Sequence, residues 1–320
     1  MRISPHKSPA ATCSPRPDRG NVPGRVTFSD VFCVIVAGMT PLDAGEHMIN
    51  QRSHDVTTTD GVTIGGTVHG QGPPLVFLQG VIGDGDLDWN QVVEPLTGRF
   101  TCHLPSLRGR GLSGDHPDHS QGRLVDDVLT YVDSIGEPTG LVGWSGGASL
   151  ALFAAARSVA VNGVAPIEPG MMYLLDEREQ AALLGAVAEM VEQAGEGKLP
   201  SAMRAFAGWP FNDEELAVAE DAGYFEAAGR YVPNLLNFIQ QNDPTEGDPA
   251  VLSAISAPVL VLLGSNTKPF FTTSALHVAD HVPNGRVQEI LGAGHAAPLT
   301  HPETLAEALT GFFGSARKPA

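Results

Sequence analysis

The stretch from Leu141 to Ala156 restricts the fold more than any other part of the chain. An apolar triplet, Leu141-Val142-Gly143, runs into Gly143-Trp144-Ser145-Gly146-Gly147, and a run of Ala, Leu and Phe with strong helix propensity follows to Ala156. Strand, tight turn and helix in direct succession put the serine on the bend. Backbone on such a bend is strained, and flanking glycines remove the Cβ atoms that would collide there. The hydroxyl is left projecting, and the helix behind it turns its N-terminal amides and partial positive charge toward any negative charge that develops. The pattern fits G-x-S-x-G and makes Ser145 the candidate nucleophile.

Strand-like and helix-like segments alternate on both sides of that turn. Val56–Asp60 and Val62–Val68 are β-branched and Thr-rich, and Asp60-Gly61 between them signals a hairpin. Leu75–Leu78, Phe100–Leu104, Val161–Ile167, Pro258–Leu263 and Val287–Leu291 read as further strands. Apolar residues recur at helical spacing over 122–135, and helices are also predicted over Ser274–His281 and Pro302–Phe313. The last is expected to start with a Thr300/Glu303 capping box. Such alternation implies an α/β fold with a mostly parallel, doubly wound sheet and the hairpin at one edge.

Two segments break the alternation. Residues 1–25 are Pro-, Ser- and Arg-rich without periodicity, a short apolar run, Val31–Met39, follows, and 1–50 as a whole read as a disordered extension. Residues 170–250 show no strand pattern. Leu183, Leu184, Val187, Met190 and Val191, then Leu235, Leu236 and Ile239, fall at helical spacing. This block supplies more than half of the negative charge and is expected to form a helical cap inserted between two strands, with the core at 51–169 and 251–320. Its aromatic residues are expected mainly to pack the cap, a few lining an apolar pocket.

Further motifs stand in order along the chain. Arg108-Gly109-Arg110-Gly111-Leu112-Ser113 precedes the helix leading to the serine turn, Trp89 follows a Gly-rich loop, and Gly292-Ala293-Gly294-His295 follows the last strand. With Gly143–Gly147 they resemble the α/β-hydrolase superfamily over about residues 54–315. The resemblance implies an α/β-hydrolase fold with Ser145 as nucleophile, His295 as general base, and the backbone amides of Val81 and Gly146 as oxyanion hole. His295 also stands out by itself, in a Gly-bracketed loop after a strand; His301, before Pro302, reads as structural. The hydrolase-like pattern begins after Met48, which suits a translation start at Met39 or Met48.

The chain departs from that pattern twice. Relatives often begin the oxyanion loop with His-Gly, and here it reads Gln79-Gly80-Val81-Ile82-Gly83, followed by Asp84, Asp86 and Asp88, which read as a solvated turn. Relatives usually carry an Asp after the strand equivalent to Pro258–Leu263, and here Gly264-Ser265-Asn266-Thr267-Lys268-Pro269 offers no carboxylate. Two partners for His295 stay open. Asn266 could orient the ring but would stabilise imidazolium poorly, at a cost of about four orders of magnitude in the Asp-to-Asn case. Glu168, after Val161–Ile167, stands where some members of the superfamily place their acid, and its longer side chain could span the extra ~4.8 Å between strands.

A net charge of −17 on 320 residues disfavours nucleic acid and anionic membranes as partners, and the acidic insertion disfavours strongly anionic substrates. No apolar run is long enough to span a bilayer. Cys13, Cys33 and Cys102 have no disulfide or zinc spacing and read as free thiols, which places the chain in the cytoplasm. The expected function is a cofactor-independent serine hydrolase of a small, fairly apolar ester or related acyl compound; homodimer formation is left open. The alternative is a catalytically degenerate member that binds a ligand or partner.

Overall fold

A computed structural model describes residues 52–244 and 247–315. The extension expected over 1–50 lies outside the described residues. Eight strands form one sheet in the order β1-β2-β4-β3-β5-β6-β7-β8. They are β1 (Arg52–Thr57), β2 (Thr63–Gly70), β3 (Pro74–Leu78), β4 (Thr101–Pro105), β5 (Thr139–Trp144), β6 (Val161–Ile167), β7 (Val259–Gly264) and β8 (Gly285–Ile290). β1 and β2 pair antiparallel, as do β2 and β4; every other pairing is parallel. Thr58 closes the hairpin by donating its hydroxyl to Asp60 Oδ1 at 2.5 Å and Val62 O at 2.9 Å.

Helices cover both faces of the sheet, which is why β3, β5 and β7 are buried at every residue and read as unbroken apolar runs. Side chains alternate between the faces. Leu75, Phe77, Val142 and Leu262 pack with helices α1 (Gly85–Val93) and α12 (Pro302–Ser315). Val76, Leu78, Leu141 and Val261 pack with α2 (Gln121–Ile135), α3 (Gly146–Ala155) and α10 (Pro269–His281). Edge strand β8 exposes Arg286, Gln288 and Glu289, charged and polar groups that discourage pairing with another chain.

Between β6 and β7 the described chain is helical: α4 (Glu177–Gly195), α5 (Leu199–Ala207), α6 (Asp213–Asp221), α7 (Tyr224–Ala228), α8 (Val232–Gln241) and α9 (Ala250–Ser253). Asp176 and Glu179 form a capping box at the start of α4, as Asn212 and Glu215 do for α6. Leu183, Val187, Met190 and Val191 make the buried stripe of α4, each contributing about 1.5–3 kcal/mol through burial.

Two local expectations are corrected. Helix α10 starts at Pro269 rather than Ser274, because proline presets the first helical turn and the Phe-Phe-Thr-Thr run behind it joins the helix despite its strand-like composition. Thr300 does not cap α12. It ends the short helix α11 (Ala297–Thr300) and donates its hydroxyl back to Ala296 O at 3.2 Å. His301 is a local structural residue, its Nδ1 2.9 Å from Thr300 Oγ1.

Candidate active site

Ser145 occupies the bend between β5 and α3 with φ 55° and ψ −117°. Among the described residues only Ser145 and Glu168 combine a side chain with positive φ, and strain of this kind concentrates at functional positions. The flanking glycines are sterically required. A Cβ at Gly143 would sit 2.3 Å from Gly147 O, and one at Gly147 2.2 Å from Gln79 O. A Cβ at Gly146 would meet Val81 Cγ1 at 2.5 Å, so the residue following the serine lies directly against Val81.

Glu168 follows β6 and is fully buried, with φ 50°. Its Oε1 accepts from Gly264 N at 2.7 Å, and Oε2 accepts from Thr267 Oγ1 at 2.5 Å. The same Oε2 lies 3.4 Å from His295 Nδ1. The loop after β7, which has no carboxylate of its own, thus supplies the donors that hold the carboxylate of the neighbouring strand. Asn266 is exposed, and its backbone amide donates to Ala293 O at 2.8 Å. The structure brings Glu168, and not Asn266, to the imidazole.

His295 is buried, its ring stacked on Phe271 with centroids 3.8 Å apart. Its carbonyl accepts from Trp144 Nε1 at 2.7 Å, tying the histidine loop to the residue before Ser145. Ala296 N donates to Glu215 Oε1 at 2.6 Å, so helix α6 holds the loop from the other side. Burial raises the pKa of the Glu215 carboxyl. Among the hydrogen bonds of the described residues none joins Ser145 Oγ to His295. Phe271, which stacks on the imidazole, also lines the cavity that Ser145 opens into.

Gln79 is fully buried and does the mechanical work expected of the usual histidine. Its Nε2 donates to Gly83 O at 2.5 Å and its Oε1 accepts from Leu107 N at 3.0 Å, so both ends of the loop around Val81 are pinned. The acidic residues behind it are not a solvated turn. Asp84 caps α1 through Leu87 N at 2.9 Å and accepts from Tyr231 Oη at 2.5 Å and Arg230 Nη2 at 3.2 Å. Asp88 accepts from Gly80 N and Tyr224 Oη, each at 2.8 Å. Burial pushes the Asp88 carboxyl up to about 8 despite those two donors. Asp86 accepts from Thr67 Oγ1 at 2.5 Å. Arg108 is buried between Asp127 (2.7 Å) and Asp60 (3.0 Å) and fixes the loop that follows β4.

A cavity of about 150 Å³ opens onto Ser145 and Gly146 and runs between α3 and the inserted helices. Its walls are mostly apolar, with Leu150 and Phe153 on one side and Val187, Phe206, Leu235 and Phe238 on the other. Phe211 and Tyr224 instead reach the core: the Phe211 ring stacks on Trp144 with centroids 6.1 Å apart, and Tyr224 donates to Asp88. Among the described residues no group of three or more His, Cys, Asp or Glu side chains is placed to hold a metal ion, and no helix is long and apolar enough to cross a membrane. Cys102 is buried and free; Cys13 and Cys33 lie outside the described residues.

Comparison with known proteins agrees with this fold. The model of the "Alpha/beta hydrolase family" matches residues 68–308. N-formylmaleamate deformylase from Pseudomonas putida is 26% identical over 260 residues, which cover 77% of this chain and 88% of that protein. An alpha/beta hydrolase from Sphaerobacter thermophilus superposes with a TM-score of 0.64 at 25% identity, covering 81% of this chain and all of the other. The esterase RhEst1 from Rhodococcus sp. ECU1013 superposes with a TM-score of 0.66 at 21% identity, covering 82% and 99%.

Proposed function

The chain belongs to the alpha/beta hydrolase family, and from that premise we propose that it is a cofactor-independent serine hydrolase cleaving an ester or related acyl bond through an acyl-enzyme on Ser145. The observation that carries this reading is the convergence of a buried, triply contacted carboxylate, a buried imidazole and a strained serine turn at one end of the sheet. Relatives named as a deformylase and an esterase accord with acyl transfer to water.

In this mechanism His295, protonated at Nδ1 toward Glu168, takes the Ser145 proton at Nε2 as Oγ attacks the acyl carbon. The contact from serine to imidazole tightens when substrate is bound, as such contacts do in hydrolases. The Glu168 carboxylate stabilises the imidazolium that forms. The amides of Val81 and Gly146 take the charge of the tetrahedral oxygen, a contribution of about 3–4 kcal/mol per donor. His295 returns its proton to the leaving group, and water repeats the sequence on the acyl-enzyme. The partner is a small molecule whose apolar part fills the cavity walled by Leu150, Phe153, Leu235 and Phe238.

A fluorophosphonate probe tests the reading. The wild type is expected to label stoichiometrically and Ser145→Ala not at all. A wild type that resists labelling would favour a protein that binds a ligand without turning it over.

A further inference from the structure

Arg110 is the second arginine of the Arg108–Ser113 loop, and its surroundings differ from those of Arg108. It is only 4% exposed, yet no carboxylate among the described residues lies within ion-pair distance of its guanidinium. Its one hydrogen bond runs from Nη1 to Gly83 O at 2.8 Å, and its guanidinium carbon lies 5.4 Å from the centre of the Tyr231 ring. Among the described residues Nε and Nη2 have no hydrogen-bond partner. Among the described residues the only buried side-chain nitrogen or oxygen cut off from both partner and open space is Trp89 Nε1, so the free nitrogens of Arg110 reach open space. Arg110 lines the cavity that holds Val81, Ser145 and Gly146.

The nearby acids are already engaged. Asp84 is held by Arg230, Tyr231 and the Leu87 amide. Asp88 is held by Tyr224 and Gly80, and burial favours its neutral form. The remaining groups facing Arg110 are the hydroxyls of Tyr224 and Tyr231. A buried guanidinium without a counter-ion is costly, and its cost is offset when a ligand brings the missing charge. One such cation, with Arg108 and Arg230 paired elsewhere, matches a single negative charge on a planar, two-oxygen acceptor.

We propose that Arg110 is a substrate-binding residue that pairs with a carboxylate, and that the enzyme acts on ester or related acyl bonds of monoanionic acids with an apolar body. This rests on the hydrolase reading of the same cavity. It also narrows the expectation drawn from net charge. Charges on the surface of the inserted helices are screened over about 8 Å at physiological salt, whereas a guanidinium inside the cavity is not.

The test compares pairs that share an acyl or aryl frame and differ in carrying or lacking one carboxylate. On the acyl side, mono-p-nitrophenyl glutarate is set against p-nitrophenyl valerate; on the leaving-group side, 4-acetoxybenzoate against its methyl ester. The wild type is expected to prefer the anionic member of at least one pair in kcat/KM. Arg110→Met should lower that preference about 10- to 100-fold, the range of one charged hydrogen-bond pair, and Arg110→Lys should restore part of it. Preferences that are equal in wild type and Arg110→Met for both pairs would overturn the proposal. A separate arm does not depend on turnover. Monomethyl glutarate is titrated calorimetrically into Ser145→Ala, with and without Arg110→Met. Loss of binding only in the double variant supports the carboxylate site even if no ester is cleaved. Equal binding of monomethyl and dimethyl glutarate would overturn it, and failure of fluorophosphonate labelling alone would strike at the hydrolase reading instead.

Discussion

Glu168 Oε2 lies 3.4 Å from His295 Nδ1, although the two residues belong to loops after different strands, β6 and β8, with β7 between them. The bridge works because the glutamate leaves β6 in a left-handed conformation and reaches across to Gly264 N and Thr267 Oγ1 of the β7 loop. Glu168→Gln should keep the fold and lower kcat on a p-nitrophenyl ester about 10³- to 10⁴-fold, the scale of the Asp-to-Asn effect in a serine triad. Asn266→Ala should change kcat less than about twofold, since its exposed side chain does not reach the ring. Steady-state kinetics on both variants checks the assignment.

Gln79 holds the oxyanion loop through Gly83 O and Leu107 N. Gln79→Ala should leave both backbone groups without their partner, costing about 1–3 kcal/mol of stability. Because Val81 loses its support, kcat should fall more than about tenfold while KM changes little. Urea unfolding together with kcat and KM separates the two effects.

The amide of Ala296, next to the candidate base, donates to Glu215 from α6. Glu215→Ala should displace the histidine loop and lower kcat about 10- to 100-fold. Glu215→Gln, which retains an acceptor oxygen, should recover most of it. If both variants lose activity equally, charge rather than loop placement is the operative property.

Asp88 gives a pH prediction. Its folded carboxyl is raised to about 8 from an ordinary 3.8, so the folded state binds the proton more tightly than the unfolded chain. The stability this contributes is full below pH 3.8 and is lost as pH rises through about 8. Asp88→Asn keeps an acceptor for Gly80 N and does not titrate. The difference in Tm between Asp88→Asn and wild type should therefore shift in favour of the variant across that window. A difference independent of pH would show that Asp88 is ionised throughout.

The strands, the bend carrying Ser145 and the loop carrying His295 were legible because glycines mark tight bends and unbroken apolar runs mark doubly covered strands. The side chains that brace the site were not. Asp84 and Asp88 look like turn residues in Asp-Gly-Asp-Leu-Asp, and their donors Tyr231 and Tyr224 lie 147 and 136 residues further along. Glu215 is visible as a helix-capping glutamate after Asn212, and its second oxygen reaches Ala296 only through the packing of α6 on the histidine loop. Periodicity marks α4 and α8 as helices, but not which core loop each inserted helix touches. Arg110 was visible only as a variable position between glycines; its isolation from carboxylates is a property of the folded surroundings.

Trapping the covalent intermediate reads the proposed chemistry most directly. The enzyme is mixed with p-nitrophenyl acetate, quenched in acid during turnover and analysed by peptide mass spectrometry. An acetyl group on the peptide carrying Ser145, absent in Ser145→Ala and strongly depleted in His295→Ala, is the predicted result. Ester consumed with no acyl adduct, or with the adduct on another residue, would contradict it.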